Sequence, residues 1–200
     1  AMLGAAIRAF PADGKGSRLG KLVLDAALLA LVEDDRALAA VAAAALTARK
    51  DLEAPVASAR AFATAVVARL GGQRIDAAAF PLGEASPAFV LVDAWGRADA
   101  TRVASLQAIT DPANLHIGVV ASHVYLPLWF LRAQAEAASG DVARALISLD
   151  EVLRPGAYAP TRGTVIGRAL ALRAELLTRA GRAGEAAAVQ AELARLTGAR

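Results

Sequence analysis

Residues 129–153 read WFLRAQAEAASGDVARALISLDEVL, and residues 170–194 read LALRAELLTRAGRAGEAAAVQAELA. Each stretch carries apolar residues at helical spacing on both sides of a central glycine, Gly140 in the first and Gly181 in the second. Glycine ends a helix readily because it takes left-handed backbone angles without a Cβ clash. With Gly140 placed over Gly181, Trp129 falls over Leu170, Ala133 over Ala174, Ala145 over Ala186 and Val152 over Leu193. The pattern predicts helices over 129–139 and 142–153 joined at Gly140-Asp141, then helices over 165–180 and 182–196 broken at Gly181. A loop with Pro155, Gly156 and Pro160 separates the two pairs.

This register resembles the tetratricopeptide repeat. In that family a large and a small residue four apart on the first helix meet a small residue after the turn and an apolar one seven further on. Small side chains there let helices approach closely. The chain departs from the family in its repeat step of 41 residues rather than about 34. Arg132 and Arg173 stand where an apolar residue is usual, and Glu136 replaces the usual aromatic, whereas Leu177 keeps an apolar side chain at the equivalent place. The resemblance covers residues 127–197, with a weaker third copy at Gly96-Arg97, Val103 and Leu106 whose small residue is out of step.

Working back towards the start, Pro11, Gly14, Gly16 and Gly20 predict an irregular lead-in over 1–20. The first helix is expected over 21–32, where only Lys21 and Asp25 are polar, so burial nearly all round follows. Asp34 or Asp35 can cap a second helix reaching about Lys50, and Pro55 suits the first turn of a third that ends at Gly71-Gly72. Ser86-Pro87 opens another towards Trp95, and Thr101–Ile109 has helical spacing. Phe89–Asp93 and Leu115–Val120 admit a second reading as buried parallel strands. The expected fold is all-α: antiparallel helical hairpins stacked as a short right-handed solenoid or a helical bundle. Short helices over 21–126 would form one continuous domain with the two hairpins over 127–197.

The composition agrees with helix and excludes several classes. Of 200 residues 56% are apolar and 54 are alanine, the strongest helix former. Arg outnumbers Lys 19 to 3, a bias of GC-rich coding sequence. The net charge of +3 is too small and too scattered for a nucleic-acid footprint. The longest apolar stretch, Ile117–Leu131, is interrupted by Ser122, His123 and Pro127 and falls short of the roughly twenty residues of a membrane span. Absence of Cys excludes disulfides and thiolate metal sites and suits cytoplasm or periplasm alike. A signal or lipoprotein peptide removed ahead of Ala1-Met2 would leave no trace.

No catalytic set, metal site or cofactor is expected. Gly14, Gly16 and Gly20 beside Lys15 lack the preceding strand and the spacing of a phosphate loop. Glu33-Asp34-Asp35 reads as helix capping. His116 and His123 are seven apart, about 10 Å along one helix, too far to share a metal ion. Ser122 does not face His123.

Two functions fit, and neither is an enzyme. The first is a protein-interaction scaffold that takes a peptide or a single helix. The resemblance places its groove at Phe130, Gln134, Arg168, Glu175 and Arg179. The second is a helical carrier for a lipid or other hydrophobic small molecule. Phe89, Trp95, His116, His123, Tyr125 and Trp129 would then wall an apolar cavity. Self-association into a homo-oligomer is a further outlet for the surplus apolar surface.

Overall fold

The computed structural model describes residues 2–10, 16–47, 54–111, 119–154 and 162–198. It is 83% helix, with no strand among the described residues. Phe89–Asp93 lies within a helix, which removes the strand alternative there; residues 115–118 of the other candidate fall outside the described residues. Proline at the first turn explains the choice, since Pro87 fixes φ and follows the extended Ser86.

The helices are α1 (Met2–Arg8), α2 (Gly16–Glu33), α3 (Arg36–Thr47), α4 (Ala54–Leu70), α5 (Pro87–Ala94), α6 (Val103–Thr110), α7 (Val119–Ala138), α8 (Val142–Leu153), α9 (Arg162–Arg179) and α10 (Ala183–Thr197). Among the described residues three single 3₁₀ turns lie between α4 and α6: Ala77–Ala79, Gly83–Ala85 and Ala100–Arg102. The lead-in expected to be irregular holds α1 and the first turn of α2. Apolar Ile7 is buried there and α1 packs on α2 and α3, so tertiary contact overrides the glycine signal.

The chain forms two compact units. The first comprises the described residues of 1–95 and 116–124. Its centre is α2, which packs on both α3 and α4. Val23, Leu24, Ala26, Ala27, Leu28, Ala30, Leu31 and Val32 are buried, while Lys21 is exposed and Asp25 half-buried, as its nearly continuous apolar circumference predicts. Asp34 takes a left-handed φ of 56° and ends α2, and the Asp35 carboxylate accepts from the Leu38 N–H at 2.9 Å to cap α3.

The second unit comprises the described residues of 96–115 and 125–200. Here α9 packs on both α8 and α10. α7 starts ten residues before the expected Trp129 and carries Pro127 inside it. Gly140 and Gly181 end α7 and α9 in the same way. Their φ values are 88° and 74°. After α7, Asp141 N donates to Glu136 O at 2.9 Å and Gly140 N to Ala137 O at 3.1 Å. After α9, Arg182 N donates to Leu177 O at 2.9 Å and Gly181 N to Thr178 O at 3.0 Å. This is the same double-bonded stop, which satisfies carbonyls that the helix leaves open. α5 and α6, the flanks of the weaker third copy, belong to different units.

Candidate functional site

The most polar constellation in the second unit centres on Glu136, whose side chain is 0% exposed. A buried carboxylate is tolerated only when paired and hydrogen-bonded, and three donors converge on this one. Arg132 Nε reaches Oε1 at 2.8 Å, Gln107 Nε2 reaches Oε1 at 3.2 Å, and Ser148 Oγ reaches Oε2 at 2.6 Å. Arg132 Nη1 also donates to Thr110 Oγ1 at 3.1 Å, and the Thr110 hydroxyl donates to Leu106 O at 2.7 Å. The cluster therefore ties α6, α7 and α8 together. One turn before Arg132, the Trp129 ring lies 4.6 Å beneath the guanidinium, a cation–π contact. Tyr125 stands edge-on to Trp129 at 6.3 Å.

The two departures from the repeat pattern at Arg132 and Glu136 thus have one cause, since each satisfies the other. In the second copy Leu177 replaces the carboxylate and is 1% exposed. Arg173, equivalent to Arg132, is released from its own helix and pairs with Asp150 of α8. Both arginines reach back to the helix before their own, Arg132 across 22 residues and Arg173 across 23. Sequence reasoning missed this cluster; the visible signal was an Arg and a Glu four apart within an apolar run.

Of the expected groove positions, Arg168, Glu175 and Arg179 are exposed and Gln134 is half-buried. Phe130 is 4% exposed and lies in the core with Leu128, Trp129 and Leu131. Glu175 and Arg179 form a loose ion pair at 3.9 Å, one turn apart on α9.

The residues expected around an apolar cavity divide between the units. Phe89, Trp95 and His123 lie in the first, Tyr125 and Trp129 in the second, and His116 outside the described residues. His123 is buried, with Nε2 3.4 Å from Asp25 Oδ1, an α2 carboxylate oxygen that accepts no hydrogen bond. Phe89 meets Phe80 edge-on at 5.9 Å. Trp95 is buried, and its carbonyl accepts from Arg69 Nη2 at 2.8 Å. Among the described residues no group of three His, Asp or Glu side chains is placed to hold a metal ion.

The first unit also carries an open cleft of about 690 Å³ between α4 and residues 78–81. No described helix is long and apolar enough to cross a membrane. No family model matches the chain, and neither does any curated protein or solved structure.

Proposed function

We propose that the chain is a non-enzymatic interaction scaffold whose last third forms two tetratricopeptide-like helical hairpins, stacked as in a short solenoid, that present a groove to a peptide or single helix. The observation that carries this reading is the shared register of α7–α8 and α9–α10. The same left-handed glycine stop recurs at Gly140 and Gly181. The small positions Ala133, Ala174, Ala145 and Ala186 are all buried. Close helix approach at such positions is what the repeat architecture requires.

The surface fits the role. Arg168, Glu175 and Arg179 are exposed and Gln134 is half-buried at the positions that line the groove in that family, and a polar groove over a rigid stack binds a peptide through side-chain pockets and charge. The buried Glu136 cluster supports rigidity, because it links three helices through charge-assisted bonds.

A displayed library of random twelve-residue peptides, selected on the intact chain, tests the reading. Selected peptides should bind saturably and lose most of their affinity on Arg168→Glu with Arg179→Glu, at an unchanged melting temperature. Peptides that bind the double variant equally well, or a selection that yields none, would overturn it. Lipid extracted from the purified protein in near-stoichiometric amount would favour the hydrophobic carrier instead.

A further inference from the structure

We propose that the cleft beside α4 is a second recognition site, which takes a short peptide segment bearing one apolar anchor and one carboxylate. The cleft lies in the first unit, so it does not rest on the repeat reading of α7–α10. One wall is a face of α4 formed by Ala57, Ser58, Ala61 and Thr64, with Arg60 at its edge; the other is Ala78, Ala79, Phe80 and Pro81. The small α4 side chains leave the depth of the cleft empty and bring any occupant close to the helix. Ala57, Ala61, Ala78, Ala79 and Pro81 supply the apolar contact for an anchor, and Phe80, packed against Phe89, backs that wall. The space between the two walls is about 690 Å³ and opens to solvent.

Charge decides the chemistry of the occupant. Arg60 is the one charged residue among the described residues that line the cleft. α4 contains no Asp or Glu at all, and Arg60 makes no ion pair with any described residue. A carboxylate brought by the occupant therefore meets a guanidinium that no described carboxylate pairs with, the group best shaped to receive it. The Ser58 and Thr64 hydroxyls lie on the same wall.

A second, independent observation lies just past Pro81. Leu82 is 63% exposed and is held at φ 69°, a left-handed angle that branched and bulky side chains rarely adopt. Leu82 follows Pro81, the last residue of the cleft wall, in the chain, so an exposed leucine held in a costly backbone conformation lies one residue beyond that wall. The cleft is open to solvent, which suits a chain segment more than a small molecule that must be enclosed.

The test uses three probe sets on the intact chain: acetylated hexapeptides with one Leu or Phe and one Glu, the same peptides with Gln for Glu, and octanoate as a free carboxylate amphiphile. Binding is read by amide chemical shifts of residues 57–64 and 78–82. The Glu peptides should saturate and perturb this set. Their affinity should fall about three- to fivefold with the Gln peptides and with Arg60→Gln, the size expected of a solvent-screened ion pair. Ala61→Leu, which fills the cleft from its own wall, should abolish the perturbation, while both variants keep the parent melting temperature. Variants at Arg168 and Arg179 should leave this binding unchanged, which separates its failure from failure of the hairpin groove. Equal binding of Glu and Gln peptides, indifference to Ala61→Leu, or saturation by octanoate alone would each overturn the proposal.

Discussion

Ser148 of α8 donates its hydroxyl proton to Glu136 of α7 across 2.6 Å, with both side chains wholly buried. Ser148→Ala should therefore destabilise by about 1–3 kcal/mol, the cost of an unsatisfied buried acceptor. Arg132→Leu should cost more, about 3–5 kcal/mol, because it removes the counter-charge from a carboxylate that water cannot reach. The informative variant is the double change Arg132→Leu with Glu136→Leu. It removes both charges and copies what Leu177 does in the second pair, so it should be more stable than Arg132→Leu alone. Urea denaturation of the four proteins checks the order; a double variant as unstable as the single would show that the cluster is not a coupled unit.

Ala186 sits five residues after Gly181 and is 3% exposed, as Ala145 after Gly140 is 0%. Ala186→Leu should cost about 1–3 kcal/mol by overpacking a close helix contact. Ala188→Leu, on the exposed side of the same helix, should change stability by less than about 0.5 kcal/mol. Thermal melts of the pair test the register; equal melting temperatures would dissolve it.

Much of this pattern was legible because it is local. A glycine after a helical run needs only the αL conformation to become a stop, and Ala145 and Ala186 follow at a fixed distance. Helix α5 was ambiguous because Phe89–Val92, closed by Asp93, is a short continuous apolar run with no period, and Pro87 settles it. α1 was not legible, since its seven residues are too few to hold a helix without α2 and α3 against them. The Glu136 cluster was hidden for another reason: its donors Gln107 and Ser148 come from 29 and 12 residues away. The α4 cleft is likewise a product of folding, joining 57–64 to 78–81.

Two surface carboxylates give a pH signature. The Thr101 hydroxyl and backbone N–H, with Arg102 nearby, hold the Asp99 carboxyl below its ordinary range. Arg182 does the same for Glu185 through bonds of 2.7 and 2.6 Å. A lowered folded pKa means that the native state keeps the charge longer than the unfolded chain does. The stabilisation is present above the ordinary carboxylate pKa of about 4 and is lost as pH falls through the lower folded value. Carboxyl NMR titration should find both groups titrating low, with Thr101→Ala raising Asp99 and Arg182→Gln raising Glu185. An unmoved Glu185 midpoint in Arg182→Gln would contradict the assigned cause.

Trp129 anchors α7, 8% exposed beneath the Arg132 guanidinium and beside Tyr125. Trp129→Ala should cost about 3–5 kcal/mol from lost burial and the cavity left behind. Trp129→Phe keeps a ring for the cation but drops the buried Nε1–H, which has no hydrogen-bond acceptor. The phenylalanine variant should therefore recover much of the loss. Recovery no better than alanine, measured by chemical denaturation, would show that the indole's width rather than its aromatic face holds the helix.

Leu82 separates strain from contact. At φ 69° a leucine pays for its Cβ in the left-handed region, about 1–2 kcal/mol against glycine, and its 63% exposure means that little burial offsets it. Leu82→Gly relieves the clash but frees the unfolded backbone, a cost of about 0.5–1 kcal/mol. The net should be a gain of up to about 1.5 kcal/mol in the free protein. If Leu82 is kept for contact, the same change should weaken binding of the Glu-bearing hexapeptides even as the melting temperature rises. A variant that is more stable and binds equally well would leave the strain without a role at the cleft, and one that is less stable would show that Leu82 is held by packing instead.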